Sequence, residues 1–168
     1  MGWSFKLHAG IAAGLSAALL VAAALTLLPG LLWPNSPWLG AGTMLLAFSV
    51  CGAALLRGTL AGGGRRSVWS AFRRLPGAVQ VVLVALFVTG LVLVAGSAAA
   101  GSRQPSGSGE GRYHVLDTDS HQPGLALLSH GEHEAAIESE QRYMFAVPGI
   151  MLAVTATLIL VTGELRRR

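Results

Sequence analysis

The residues with the most chemical potential in this sequence lie in one short stretch. His114, His121, His130 and His133 fall within twenty residues, amid Asp117, Asp119, Glu132 and Glu134. Imidazole and carboxylate are ordinary ligands of zinc, copper and nickel, and His130 and His133, three apart at the start of a helix, can grip one ion from the same side. With His114 or Asp119 as a third ligand, the segment becomes a binder or sensor of zinc or copper. The same histidines, protonated at mildly acid pH, offset the surrounding carboxylates and give a pH-dependent conformation instead. A solvated acidic loop is the plain alternative and the expectation here, because HxxH alone matches no established metal signature. An enzyme built on these acids needs two or three carboxylates converging on an ion, and spacing along a chain does not establish convergence.

Other chemistries are excluded more firmly. Cys51 is the single cysteine, so no intramolecular disulfide, zinc ribbon or paired-thiol redox site can be built. The long apolar runs contain no deep ionisable side chain, whereas a proton-coupled transporter needs a carboxylate at membrane depth. Their deep polar residues are Thr26, Thr43, Ser49, Cys51, Thr89, Thr155 and Thr157, with Gln80 near one end, and each of these can bond to its own helix or a neighbour. There is no intramembrane histidine pair for haem, no serine with a base at depth and no glycine-rich phosphate loop. The expectation is a protein without catalytic residues or a resident cofactor.

The elements that must position the histidines are set by composition. Of 168 residues, 52% are apolar or aromatic and only 12% charged, with mean hydropathy +0.58; a soluble domain carries about twice that charged share. Four runs are long enough to cross a hydrocarbon core of about 30 Å: Leu7 to Leu28, Trp38 to Leu56, Ala78 to Gly96 and Met144 to Thr162. The first exceeds the apolar core of a secretory signal and continues past its Ala22–Ala24 site, so it reads as an uncleaved span. Residues 1–96 therefore hold three spans, 97–143 an outer segment, and 144–168 the fourth span with a basic tail.

Charge sets the orientation. The N-terminal end, the loop 57–77 and the C-terminal tail carry nine basic side chains against one acid, while 97–143 carries three against seven. The positive-inside rule places both ends in the cytoplasm of a bacterial plasma membrane and 97–143 outside. The pI near 10.2 thus reflects membrane anchoring, and no nucleic-acid partner is expected. In the loop, Val68, Trp69, Phe72 and Leu75 fall on one side of a helical wheel and Arg66, Ser70, Arg73 and Arg74 on the other. With Arg65 this is an interfacial anchor of about nine residues, its aromatic face in the acyl boundary and its arginines on anionic headgroups.

Small residues suggest helix contacts. Gly10 and Gly14 form a GxxxG step, a packing element that serves internal contacts or, in the sharper reading, a homodimer. Pro148 should weaken the fourth span near its outer end.

In the outer segment, Ser97 to Gly111 reads as a flexible Ala/Gly/Ser tether. Tyr113 to Leu116 and Leu125 to Leu128 are strand candidates that could pair as a hairpin, and a helix opening at Ser129 or Gly131 continues into span 4. Glu138 and Arg142 are spaced as an acid-first pair on that helix. The order Tyr113-x-x-Leu116, Ser129-His130-Gly131, Ala136, Gln141-Arg142-Tyr143 resembles the outer loop of uncharacterised four-span membrane proteins of actinobacteria, in which a Ser-capped helix carries an arginine at the interval separating Ser129 from Arg142. This chain departs in placing His-Gly after the serine and His133 where the family often has an aromatic residue. The resemblance implies architecture and brings no activity with it.

The sequence thus reads as an all-α membrane protein of four transmembrane helices, with a small ββα extracytoplasmic cap between helices 3 and 4. Its expected role is an accessory or assembly subunit working through membrane lipids or another membrane protein. The competing reading is an outer-face metal binder, sensor or small transporter; a polar path through Gln80, Thr89, Ser49 and Thr155 would favour it.

Overall fold

In lipid a backbone must satisfy its own hydrogen bonds, so uninterrupted apolar runs become helices. The computed structural model describes residues 2–28, 36–59, 65–99, 103–109, 112–117, 124–128 and 130–167, with side chains placed at 2–28, 36, 38–56, 68–98 and 131–167. Its helices are α1 (Trp3–Leu25), α2 (Pro37–Thr59), the short α3 (Arg65–Phe72), α4 (Gly77–Ala99) and α5 (His130–Leu165); strands β1 (Arg103–Gly109), β2 (Arg112–Asp117) and β3 (Gly124–Leu128) lie between α4 and α5. Four helices, all but α3, are long and apolar enough to cross a membrane, as a multipass membrane protein requires. Pro37 opens α2 at the position where a missing N–H costs nothing.

α5 is the axis of the bundle. It touches α1, α2, α3 and α4 as well as all three strands. In its most apolar stretch 56% of residues are buried, against 17% in α2 and α4, as its contacts with every other helix require. The other helices turn Leu45, Phe48, Leu56, Val81 and Val92 outward, where lipid replaces water as their partner.

Burial of apolar surface gives little drive between helices in lipid, so close packing of small side chains must supply it. α1 presents Ala9, Ala12, Ser16, Leu20 and Ala23 as its buried stripe. Ala9 and Ala12 join Ala54, Leu83, Ala156 and Ile159 in one cluster, whereas Leu20 and Ala23 join Leu93, Phe145 and Ala146 in a second. The backbones come close at three glycines. A Cβ added at Gly149 would lie 2.9 Å from a Leu20 methyl, one at Gly40 would lie 2.7 Å from the Met144 sulfur, and one at Gly90 would run into Ile150.

The ββα cap is overturned. The outer module is a three-stranded antiparallel sheet in the order β1-β2-β3, and the stretch read as a tether supplies its first strand. β2 and β3 pair from Tyr113↔Leu128 to Asp117↔Gly124, the hairpin expected, but β1 adds along the other side of β2 from Arg103↔Asp117 to Gly109↔Arg112. Ladder bonds come from backbone, so a Gly/Ser-rich segment can pair without apolar side chains. Pro105 fits because β1 is an edge strand, and the register shifts between Pro105 and Ser108, a place where an edge tolerates a residue with no N–H. The helix expected to continue from the outer segment into span 4 does so, as α5 runs from His130 through Pro148 to Leu165.

Candidate functional site

The end of the bundle beside the sheet is joined by directed hydrogen bonds from α5. Arg142 is half-buried there, and its Nε donates to Thr26 Oγ1 while Nη2 donates to the Thr26 carbonyl, both at 3.3 Å. Thr26, wholly buried, caps α1 in helical geometry and donates its own hydroxyl to the Ala23 carbonyl at 2.7 Å. A guanidinium thus lies at the negative end of the α1 dipole, against the carbonyl of its C-cap residue. One turn earlier, Ser139 Oγ donates to the Ser97 carbonyl near the end of α4 at 3.3 Å. Deeper in the bundle, the buried Ser16 hydroxyl donates to the Gly149 carbonyl at 2.7 Å, beside the proline that interrupts the α5 ladder.

The residues proposed as a polar path do not converge. Ser49 is exposed and bonded to the Leu45 carbonyl, buried Thr155 is bonded to the Met151 carbonyl, and Thr89 faces outward. Gln80 has a different task. Its Nε2 donates to the carbonyls of Leu75 at 2.7 Å and Arg73 at 3.3 Å, fastening the end of α3 to the start of α4.

At the opposite end, α3 lies against α5, with Ala71 and, just past the helix, Leu75 buried. Trp69 stacks on Phe72 with ring centroids 5.9 Å apart and remains 62% exposed, while Arg73 and Arg74 are exposed. The expected anchor is thus an amphipathic helix, whose apolar side divides between the bundle and an open groove. Arg166 places its guanidinium 5.7 Å from the Phe5 ring centre, a cation–π contact between the ends of α5 and α1. The side chains of Arg65 and Arg66 lie outside the described residues.

The groove was not foreseen. It has a volume of about 660 Å³ and lies between α3, α4 and α5, lined by Trp69, Phe72, Val84, Phe87, Val154 and Leu158 among others. No sequence spacing marks it, because it arises where a short surface helix meets two spans.

Of the four histidines read as metal ligands, His121 and the side chains of His114 and His130 lie outside the described residues. His133 is half-buried on the first turns of α5, and among the described residues no three His, Cys, Asp or Glu side chains gather round a common point. Gly10 and Gly14 face away from the bundle, with nothing within 4 Å of an added Cβ. The internal contact of α1 runs instead along Ala9, Ala12 and Ser16, about 150° round the helix from them. Compared with known proteins, the chain matches no family model, no curated protein and no solved structure.

Proposed function

We propose that this chain is a non-enzymatic protein of a bacterial plasma membrane that serves as an accessory or assembly subunit through lipid and protein contacts, with both ends cytoplasmic and 97–143 outside. The observation that carries the reading is the dispersal of its polar residues. Ser49, Thr89, Thr155 and Gln80 lie on different faces, and for three of them the bond formed is to a backbone carbonyl. Polar contacts that cross between helices, at Ser16, Ser139 and Arg142, each reach a carbonyl of a neighbouring helix or its end. They serve assembly of the bundle. The orientation rests on the basic ends and loop against the acidic outer segment.

The test is reconstitution of the full chain alone into liposomes, followed by native mass spectrometry from nanodiscs. Flux of protons, zinc or copper equal to that of empty vesicles, with no metal at whole-number stoichiometry, is expected. Flux above that background overturns the reading in favour of a transporter. A stoichiometric metal lost on H130A/H133A overturns it in favour of a metal binder.

A further inference from the structure

We propose that the groove between α3, α4 and α5 holds one acyl chain of an anionic glycerophospholipid, whose phosphate lies against Arg73 and Arg74. The inference deepens the lipid-contact reading above and rests on it.

The lining sets the chemistry of the occupant. Trp69, Phe72, Val84, Phe87, Val154 and Leu158 offer hydrocarbon and aromatic surface; besides the Trp69 indole N–H, the polar side chain in the wall is Thr157, whose hydroxyl is already given to the Ala153 carbonyl at 2.9 Å. A polar ligand would find few partners, whereas an alkyl chain needs none.

The length sets the kind of hydrocarbon. From Gly77, where α4 begins, to Phe87 at the far end of the groove is about 15 Å at 1.5 Å per residue, half of a hydrocarbon core of about 30 Å. The groove is therefore one leaflet deep and starts at the membrane surface. A transmembrane helix of a partner needs a face running the full depth; a single lipid chain needs only this.

Charge sets the headgroup. Exposed Arg73 and Arg74 directly follow the Phe72 wall, and residues 57–77 contain five arginines without one acid. Basic side chains near such a surface favour anionic lipid. Gln80 holds the carbonyls of Arg73 and Leu75, so the arginine turn is fixed relative to the α4 wall before any lipid arrives.

The experiment uses the full chain with Trp69 as its sole tryptophan (W3F, W33F, W38F) in phosphatidylcholine bilayers. Phosphatidylglycerol or phosphatidylcholine with brominated acyl chains is added as the quencher. The expected result is half-maximal quenching at a mole fraction on the order of tenfold lower for brominated phosphatidylglycerol. That preference disappears in R73Q/R74Q and survives in R73K/R74K. Val154→Phe, which fills the groove from a half-exposed position, removes the excess quenching while the arginines remain. Equal quenching by the two lipids, or a preference that persists in R73Q/R74Q, overturns the proposal. So does a Trp69 that neither lipid quenches, since a protein surface then covers the groove. Flux in the reconstitution above would remove the accessory reading and leave this lipid preference measurable on its own.

Discussion

The two ends of this bundle are held together by different physics. At the end beside the sheet α5 reaches sideways with Arg142 and Ser139 to carbonyls at the ends of α1 and α4, bonds that fix distance and direction. At the other end α3 and the turn after it rest on the spans through Ala71 and Leu75 and leave an apolar groove open beside Trp69. Directed bonds in a region of low dielectric make a joint with one geometry. Apolar contact with unfilled space leaves a surface open to hydrocarbon. The difference suits a bundle fixed by directed bonds at one end and left open at the other.

The comparison breaks first where backbones approach most closely. Gly149→Leu drives a side chain into Leu20 and should cost about 3 kcal/mol, read as a shifted midpoint in detergent unfolding. Gly14→Leu, on the open face of the same pair of helices, should stay within about 0.5 kcal/mol. If the two behave alike, the assignment of the α1 face is wrong.

Arg142→Ala comes next. Removing a charged donor from the end of α1 should cost about 2 kcal/mol, and Arg142→Lys should recover part of it. The loss should be larger than that of Arg73→Ala or Arg74→Ala, because those two side chains are exposed.

Ser16→Ala is smaller, about 0.6 kcal/mol, the average for hydrogen bonds between helices in a membrane. Ser139→Ala should be smaller again, since its bond at 3.3 Å lies near the rim. A double-mutant cycle of Ser139→Ala with Arg142→Ala sharpens the picture: near-additive losses mean the caps on α4 and α1 act independently, whereas strong coupling makes them one joint.

The sequence made some of this readable and hid the rest for identifiable reasons. The four spans, the amphipathic α3 and the run of α5 from the outer segment into the membrane follow from apolar length and helical period, which local residues determine. Strand β1 does not, because Gly, Ser and Pro describe how stiff a free chain is, while its place in the sheet depends on β2 offering an unpaired edge. Arg142 reads in sequence only as the partner of Glu138 four residues away; its contact with Thr26 joins positions 116 residues apart. Gly10 and Gly14 illustrate a further limit. Both faces of α1 are rich in small residues, so spacing alone could not choose which one meets α5. Gln80, read as a step in a polar path, turns out to fasten α3 because its neighbours are carbonyls at a helix end.

The most direct test of the account is hydrogen exchange by mass spectrometry on the full chain in nanodiscs of phosphatidylcholine, with and without phosphatidylglycerol. A fixed outer joint and a lipid-completed inner face predict that peptides covering 20–28 and 139–150 exchange at the same slow rate in both, while those covering 65–75 slow markedly when the anionic lipid is present. The opposite pattern, an outer end that responds to the lipid or an α3 that does not, would contradict it.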